Sequence, residues 1–237
     1  MQIVGARPGC TLRPEVIVGL LSNSVGPNRR LAILPWQPMA YPQMSDAKRP
    51  TQQSAFVVAY DPTWPQIFER LKAPIWEAVQ GMAESVEHVG STSVPGLAAK
   101  PIIDMDIIVP TRADVPPVIE RLASLGYVHV GDLGIEDREA FQNPSGSPRH
   151  HLYVCVRSAM ALENHLRVRD HLRSHPEEAK LYGELKMRLA DQYRHDLERY
   201  VVGKTDFIVG ILAKAGGSET LLHTVRRANR DQNESGG

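Results

Sequence analysis

Cysteine is nearly missing from this chain. Cys10 and Cys155 stand far apart in 237 residues, and neither sits in a cluster of histidines and cysteines. That excludes a disulfide scaffold and a structural zinc site, and it makes a reducing, cytoplasmic compartment the expectation. Net charge is missing as well. Lys and Arg number 27 and Asp and Glu number 27, so the total carries no strong nucleic-acid signal, although a local basic cleft fits inside a neutral sum. Long apolar runs are also lacking. The longest, near 102–109 and 201–211, are broken by Asp or Lys and fall short of the ~20 apolar residues of a membrane span. No internal repeat occurs, and no Gly-x-x-x-x-Gly-Lys-Ser/Thr loop, which removes P-loop kinase chemistry.

What is present divides unevenly along the chain. Residues 1–55 hold six Lys and Arg against two acids, and the first fifty contain seven of the 18 prolines. With no helical or alternating pattern lasting two turns, 1–55 reads as a disordered or non-native extension. Met44 offers an internal start that would omit most of it. From Phe56 the punctuation becomes regular, with short β-rich runs alternating with helical patterns, an α/β or α+β signature. Thr63 and Gln66 predict a capping box before a helix whose apolar line is Phe68, Leu71, Ile75, Val79 and Met82, with Pro74 as a possible kink. Strands are expected at 86–89, 102–109, 127–130, 139–142 and 150–156, with a helix over 113–125 closed by Gly126. Three helices follow, over 159–173, 176–197 and 204–215, the second with a buried stripe of Leu181, Leu185 and Leu189. The polar segment 216–237 reads as a flexible tail.

Chemistry concentrates between His88 and Ile107. Strand alternation puts Asp104 and Asp106 on one face and Ile103, Met105 and Ile107 on the other, with the two acidic Cα atoms about 7 Å apart. Paired carboxylates suit a divalent cation such as Mg²⁺ or Mn²⁺, which could bridge nucleotide phosphates. The turn that precedes them contains Gly90 and Ser91, whose amides and hydroxyl can cradle phosphate oxygens.

Gly90-Ser91, twelve residues and Asp104-x-Asp106 resemble the signature of the DNA-polymerase-β-like nucleotidyltransferase superfamily. The longer string from His88 to Asp104, with His150-His151-Leu152, Arg169-Asp170-x-Leu172-Arg173-x-His175-Pro176 and Lys204-Thr205-x-Phe207-Ile208, is similar to the GrpB family. That family also occurs joined to dephospho-CoA kinase. The resemblance covers residues 56–215 and implies a nucleotidyltransferase-like α/β (α+β) domain, with a mixed sheet of about five strands and a helical C-terminal part. It implies a nucleoside triphosphate as ligand, nucleotidyl transfer to an unknown acceptor, and Asp104 and Asp106 as catalytic and metal-holding residues. Active members of the superfamily commonly add a third carboxylate from a neighbouring strand, yet 150–154 has none; relatives show His-x-His where this chain has His151-x-Tyr153. A non-catalytic nucleotide-sensing module therefore stands as the alternative.

Several residues admit two readings. His150 and His151 point to opposite faces of their strand, and His151 is the candidate third metal ligand, with a structural histidine as the other reading. Lys100 either meets a substrate phosphate or protects a sheet end. Arg169 and Arg173, one helical turn apart and in line with Leu162 and Leu166, either bind phosphate bidentately or form ion pairs with Asp170, Glu177 or Glu178. Glu136 and Glu139 are the acids that could supply the absent carboxylate.

Overall fold

The first helix, α1 (Trp64–Val79), forms because Trp64, Ile67, Phe68, Leu71, Ile75 and Val79 recur at helical spacing, and all six are buried. Full burial of such side chains contributes about 1.5–3 kcal/mol each. A computed structural model describes residues 56–230; the expectations for 1–55 lie outside these. The capping box does not form. Asp61 Oδ1 instead accepts from the Thr63 backbone N–H (2.8 Å) and hydroxyl (2.7 Å), an Asx turn that engages Thr63 from upstream. The helix runs through Pro74.

Five strands build one mixed sheet: β1 (Ser85–Val89), β2 (Ile103–Val109), β3 (Val128–Gly131), β4 (Arg138–Gln142) and β5 (His150–Val156), in the order β1-β2-β5-β4-β3. Only β2 and β5 run parallel; the other pairs are antiparallel. The excursion between them contains α2 (Val115–Ser124), which starts two residues later than expected. Asp114 accepts from the Thr111 N–H and hydroxyl around a 3-10 turn at Arg112–Asp114, and a proline then opens the α-helix. Gly126, at φ +87°, ends that helical run.

The sheet's two faces differ. Ile103, Met105, Ile107 and Val109 of β2, with Leu152, Val154 and Val156 of β5, pack against α1 and α2 in the main core. On the other face the alternate residues of β2 are Asp104, Asp106 and Ile108. Ile108 and Cys155 pack with Ala159 and Leu162 at the start of α3 (Met160–Ser174), so this face carries polar chemistry at one end and an apolar seal at the other.

Three more helices complete the C-terminal part: α4 (Pro176–Gln192), α5 (Leu197–Lys214) and α6 (Glu219–Arg230). Three expectations fail here. The break between the helices expected over 176–197 and 204–215 comes earlier, at 193–196, because the Asp196 side chain accepts from the Arg199 N–H and caps α5 there. In α4 the buried line is Ala179, Tyr182, Lys186 and Leu189, whereas Leu181 is 55 % exposed. Residues 219–230 form a helix where a flexible tail was expected. Leu221, Leu222 and Val225 bury themselves against Val209 and Leu212 of α5, and the Ser218 hydroxyl accepts from the Leu221 N–H. Two adjacent leucines and a valine one turn on suffice because α5 supplies the opposing surface.

Candidate functional site

The β1–β2 turn is built around Gly90, at φ +67° and ψ −171°, a backbone region open essentially to glycine alone. A second constraint coincides with the first. A Cβ on Gly90 would collide with the Asp104 carboxylate, so backbone and acid touch without an intervening side chain. The turn is tied internally by Ser93 Oγ donating to Gly90 O (2.6 Å) and Thr92 Oγ1 donating to Ile102 O (3.2 Å). Because the Thr92 hydrogen is committed, its contact with His88 Nε2 (3.0 Å) has His88 as donor. His88 stacks on Phe68 with ring centres 4.6 Å apart. Burial, reinforced by the charges of Arg173 and Arg169 and opposed by Asp104, lowers its pKa to about 4, so the ring is neutral.

Asp104 and Asp106 share the sheet face expected from alternation, and each meets a histidine. Asp104 Oδ1 lies 2.7 Å from His151 Nδ1, its register partner on β5. Asp106, fully buried, has Oδ2 at 2.7 Å from His165 Nδ1 on α3, while its Oδ1 has no hydrogen-bond partner. For His165, burial opposes the charged form, but the Asp106 charge and hydrogen bond outweigh it and raise the pKa. His150 points into the opposite face, where its Nδ1 donates to Pro148 O and its Nε2 accepts from the Tyr127 hydroxyl. It is a satisfied core residue.

No acid fills the third position. Tyr153 stands opposite Asp106 on β5, with the Arg138 guanidinium 4.4 Å from its ring centre. Glu139 pairs with His129 and Glu136 with Arg112, away from the aspartates. Among the described residues no three His, Cys, Asp or Glu side chains are grouped to hold a metal ion.

Arg169 and Arg173 reach the turn from α3. Arg169 donates to Glu87 Oε2 (2.8 Å), to His88 O (3.2 Å) and to Asp170 Oδ1 (2.7 Å), and Arg173 Nε donates to Ser93 O (3.0 Å). Burial alone would raise the Glu87 pKa, but its bonds to Arg169 and Ser85 and the Arg169 charge bring it below the ordinary value. Both arginines thus bind the two ends of the turn that carries Gly90 and Ser91. A small cleft of about 140 Å³ opens between Gly90, Ser91, His165, Arg169, Tyr182 and Ile208. A larger cavity, about 540 Å³, is lined by Arg112, His129 and both candidate third acids, Glu136 and Glu139, and by none of Gly90, Ser91, Lys100, Asp104, Asp106, His151, Arg169 and Arg173.

Lys100 is half-buried, its Nζ 5.2 Å from the Tyr200 ring centre, and Lys204 Nζ is 4.4 Å from the same ring. The sequence reading missed two groups, His165 and Lys186. Both had a legible signal: His165 falls one turn after Leu162 and one before Arg169, and Lys186 interrupts the apolar line of Tyr182 and Leu189.

Residues 54–214 match the family described as GrpB protein. UPF0157 protein YqkA of Bacillus subtilis is 36% identical over 152 residues, which cover 64% of this chain and 44% of that protein. A UPF0157 protein of Pseudomonas aeruginosa is 38% identical over 162 residues, covering 67% of this chain and 66% of its own length. The chain thus spans about half to two thirds of these relatives. A crystal structure of the conserved protein GrpB from Enterococcus faecalis superposes with a TM-score of 0.61 at 32% identity, covering 68% of this chain and 96% of the other. A dephospho-CoA kinase of Mycolicibacterium paratuberculosis shares 38% identity over 74 residues, 18% of its length, in keeping with the joined-domain arrangement. No helix among the described residues is long and apolar enough to cross a membrane.

Proposed function

The chain belongs to the GrpB family, and on that footing we propose that it binds a nucleoside triphosphate with a divalent cation at Asp104 and Asp106 and transfers the nucleotidyl group to an acceptor. One observation carries this reading: Gly90 lies against the Asp104 carboxylate, so a phosphate held at the Gly90–Ser91 turn would stand next to the acidic strand face. Asp106 Oδ1, a buried carboxylate oxygen without a donor, is the kind of ligand that a hard cation takes. Mg²⁺ is often held by one or two carboxylates with substrate phosphates completing the shell, so the lack of a third acid is compatible with it. Bound there, the cation would neutralise phosphate charge. Asp104 and Asp106 would hold it, His151 would steady the Asp104 carboxylate from β5, the turn would orient the phosphates, and His165 would fix the Asp106 carboxylate.

The second reading, a nucleotide-sensing module without transfer chemistry, is favoured by Tyr153 at the third-acid position and by the histidines already bonded to both aspartates. Thermal-shift titration with nucleoside triphosphates, with and without Mg²⁺ or Mn²⁺, tests binding, because a ligand specific to the folded state raises the melting temperature. Pyrophosphate release separates transfer from sensing. Absent shifts would count against both, and metal-independent shifts against the cation site of the first.

A further inference from the structure

Lys186 on α4 is buried, at 2 % exposure, and its Nζ has no hydrogen-bond partner. A buried ammonium is costly unless paired, and a Met of similar length would fill the line between Tyr182 and Leu189 without that cost. The face of the Tyr182 ring, 4.5 Å from Nζ, offsets part of the penalty. Lys186 is not alone. Lys100, just before β2, and Lys204, on α5, place their ammonium groups over the same Tyr200 ring. Among the described residues no carboxylate lies within ion-pair distance of any of the three. Their charges are felt across the group: Lys204 opposes protonation of Lys186, Lys100 opposes that of Lys204, and Asp104 favours protonation of all three. Burial is the leading cause in each case, and it brings Lys204 down to about 8. Asp104 is 30 % exposed, so a ligand entering over it comes within reach of these charges.

We propose that Lys100, Lys186 and Lys204 form a polyphosphate-binding pocket beside Asp104, taking the phosphate chain of a nucleotide or the free inorganic chain. A single carboxylate ligand brings one negative charge, too few for three ammonium groups. A di- or triphosphate brings several, spread over rotatable oxygens that suit point charges on flexible stems. The pocket rests on the preceding reading only for the nucleoside; the lysines and the buried ammonium stand without it.

The test is calorimetry of the full chain with sodium tripolyphosphate, pyrophosphate and ATP, each with and without Mg²⁺. Saturable, metal-free tripolyphosphate binding is expected, weakened at least tenfold by Lys186→Met and by Lys204→Gln. Lys186→Met should melt no lower than the parent, because it removes a buried amine whose Nζ has no hydrogen-bond partner. Lys204→Gln, at a half-buried position, provides the second variant should Lys186→Met fold poorly. Asp104→Asn/Asp106→Asn should keep the metal-free binding while losing any metal-dependent part, so loss of the metal site leaves this pocket measurable. Tighter binding of ATP than of tripolyphosphate would identify the nucleotide as the source; equal or tighter tripolyphosphate binding would identify the free chain. The pocket is overturned if none of the three probes binds saturably to the parent, or if folded Lys186→Met and Lys204→Gln proteins bind with unchanged affinity.

Discussion

Gly90 and Asp104 are in direct contact, backbone against carboxylate, at a φ that side-chain-bearing residues rarely adopt. Gly90→Ala therefore meets both backbone strain, worth roughly 1–3 kcal/mol, and displacement of an acid in the site. Gly96→Ala is the control, since Gly96 also has positive φ (+78°) but open space around it. Denaturant melts should show the larger loss at Gly90, and only that variant should also lose nucleotide binding. Equal effects would mean that the contact carries no weight.

Arg169 joins β1 to α3 through Glu87 and the His88 carbonyl, with its side chain 10 % exposed. Lysine cannot reproduce the fork that reaches two acids and a carbonyl, so Arg169→Lys should destabilise by about 1.5–3 kcal/mol, the range for hydrogen bonds to charged groups. Melting of the variant reads this directly. Unchanged melting with weakened nucleotide affinity would instead make Arg169 a ligand contact.

His88 gives stability an acid dependence. Unfolded, its imidazole takes up a proton near 6.5; folded, burial holds that step down to about 4. Between those values the unfolded chain binds more protons, so stability falls as pH drops through the window. Burial lowers His150 as well, adding in the same direction, whereas the raised His165 contributes stability that is lost as pH rises past its folded value. His88→Gln should flatten the slope of unfolding free energy between pH 4 and 6.5. An unchanged slope would assign the acid dependence elsewhere.

Leu221, 1 % exposed, anchors α6 on α5. Leu221→Ala should cost about 2–5 kcal/mol in an equilibrium melt, the range for buried leucines. A neutral result would mean that α6 is not packed in solution.

The alternation of Ile103, Asp104, Met105, Asp106 and Ile107 was legible because a strand's two faces follow from a period of two within five residues. The five strands and most helices were legible for similar local reasons. The partners of the site were not. His165 meets Asp106 across 59 residues and Arg169 meets Glu87 across 82, pairings set by how α3 crosses the sheet and by no local spacing. The Thr63 capping box failed because Asp61 takes the Thr63 N–H that Gln66 would have bonded and also accepts from the Thr63 hydroxyl. α6 was overlooked because its own sequence is mostly polar and its apolar side counts only beside Val209 and Leu212.

Calorimetric titration of a nucleoside triphosphate in Mg²⁺ or Mn²⁺, into the parent chain and into Asp104→Asn/Asp106→Asn, measures the central claim most directly. The variant removes both anionic charges but keeps amide oxygens in place, while the core-facing Ile103, Met105 and Ile107 are untouched. The predicted result is metal-dependent binding by the parent, which the folded variant lacks. Equal nucleotide affinity in the two proteins, with the metal present, would contradict it.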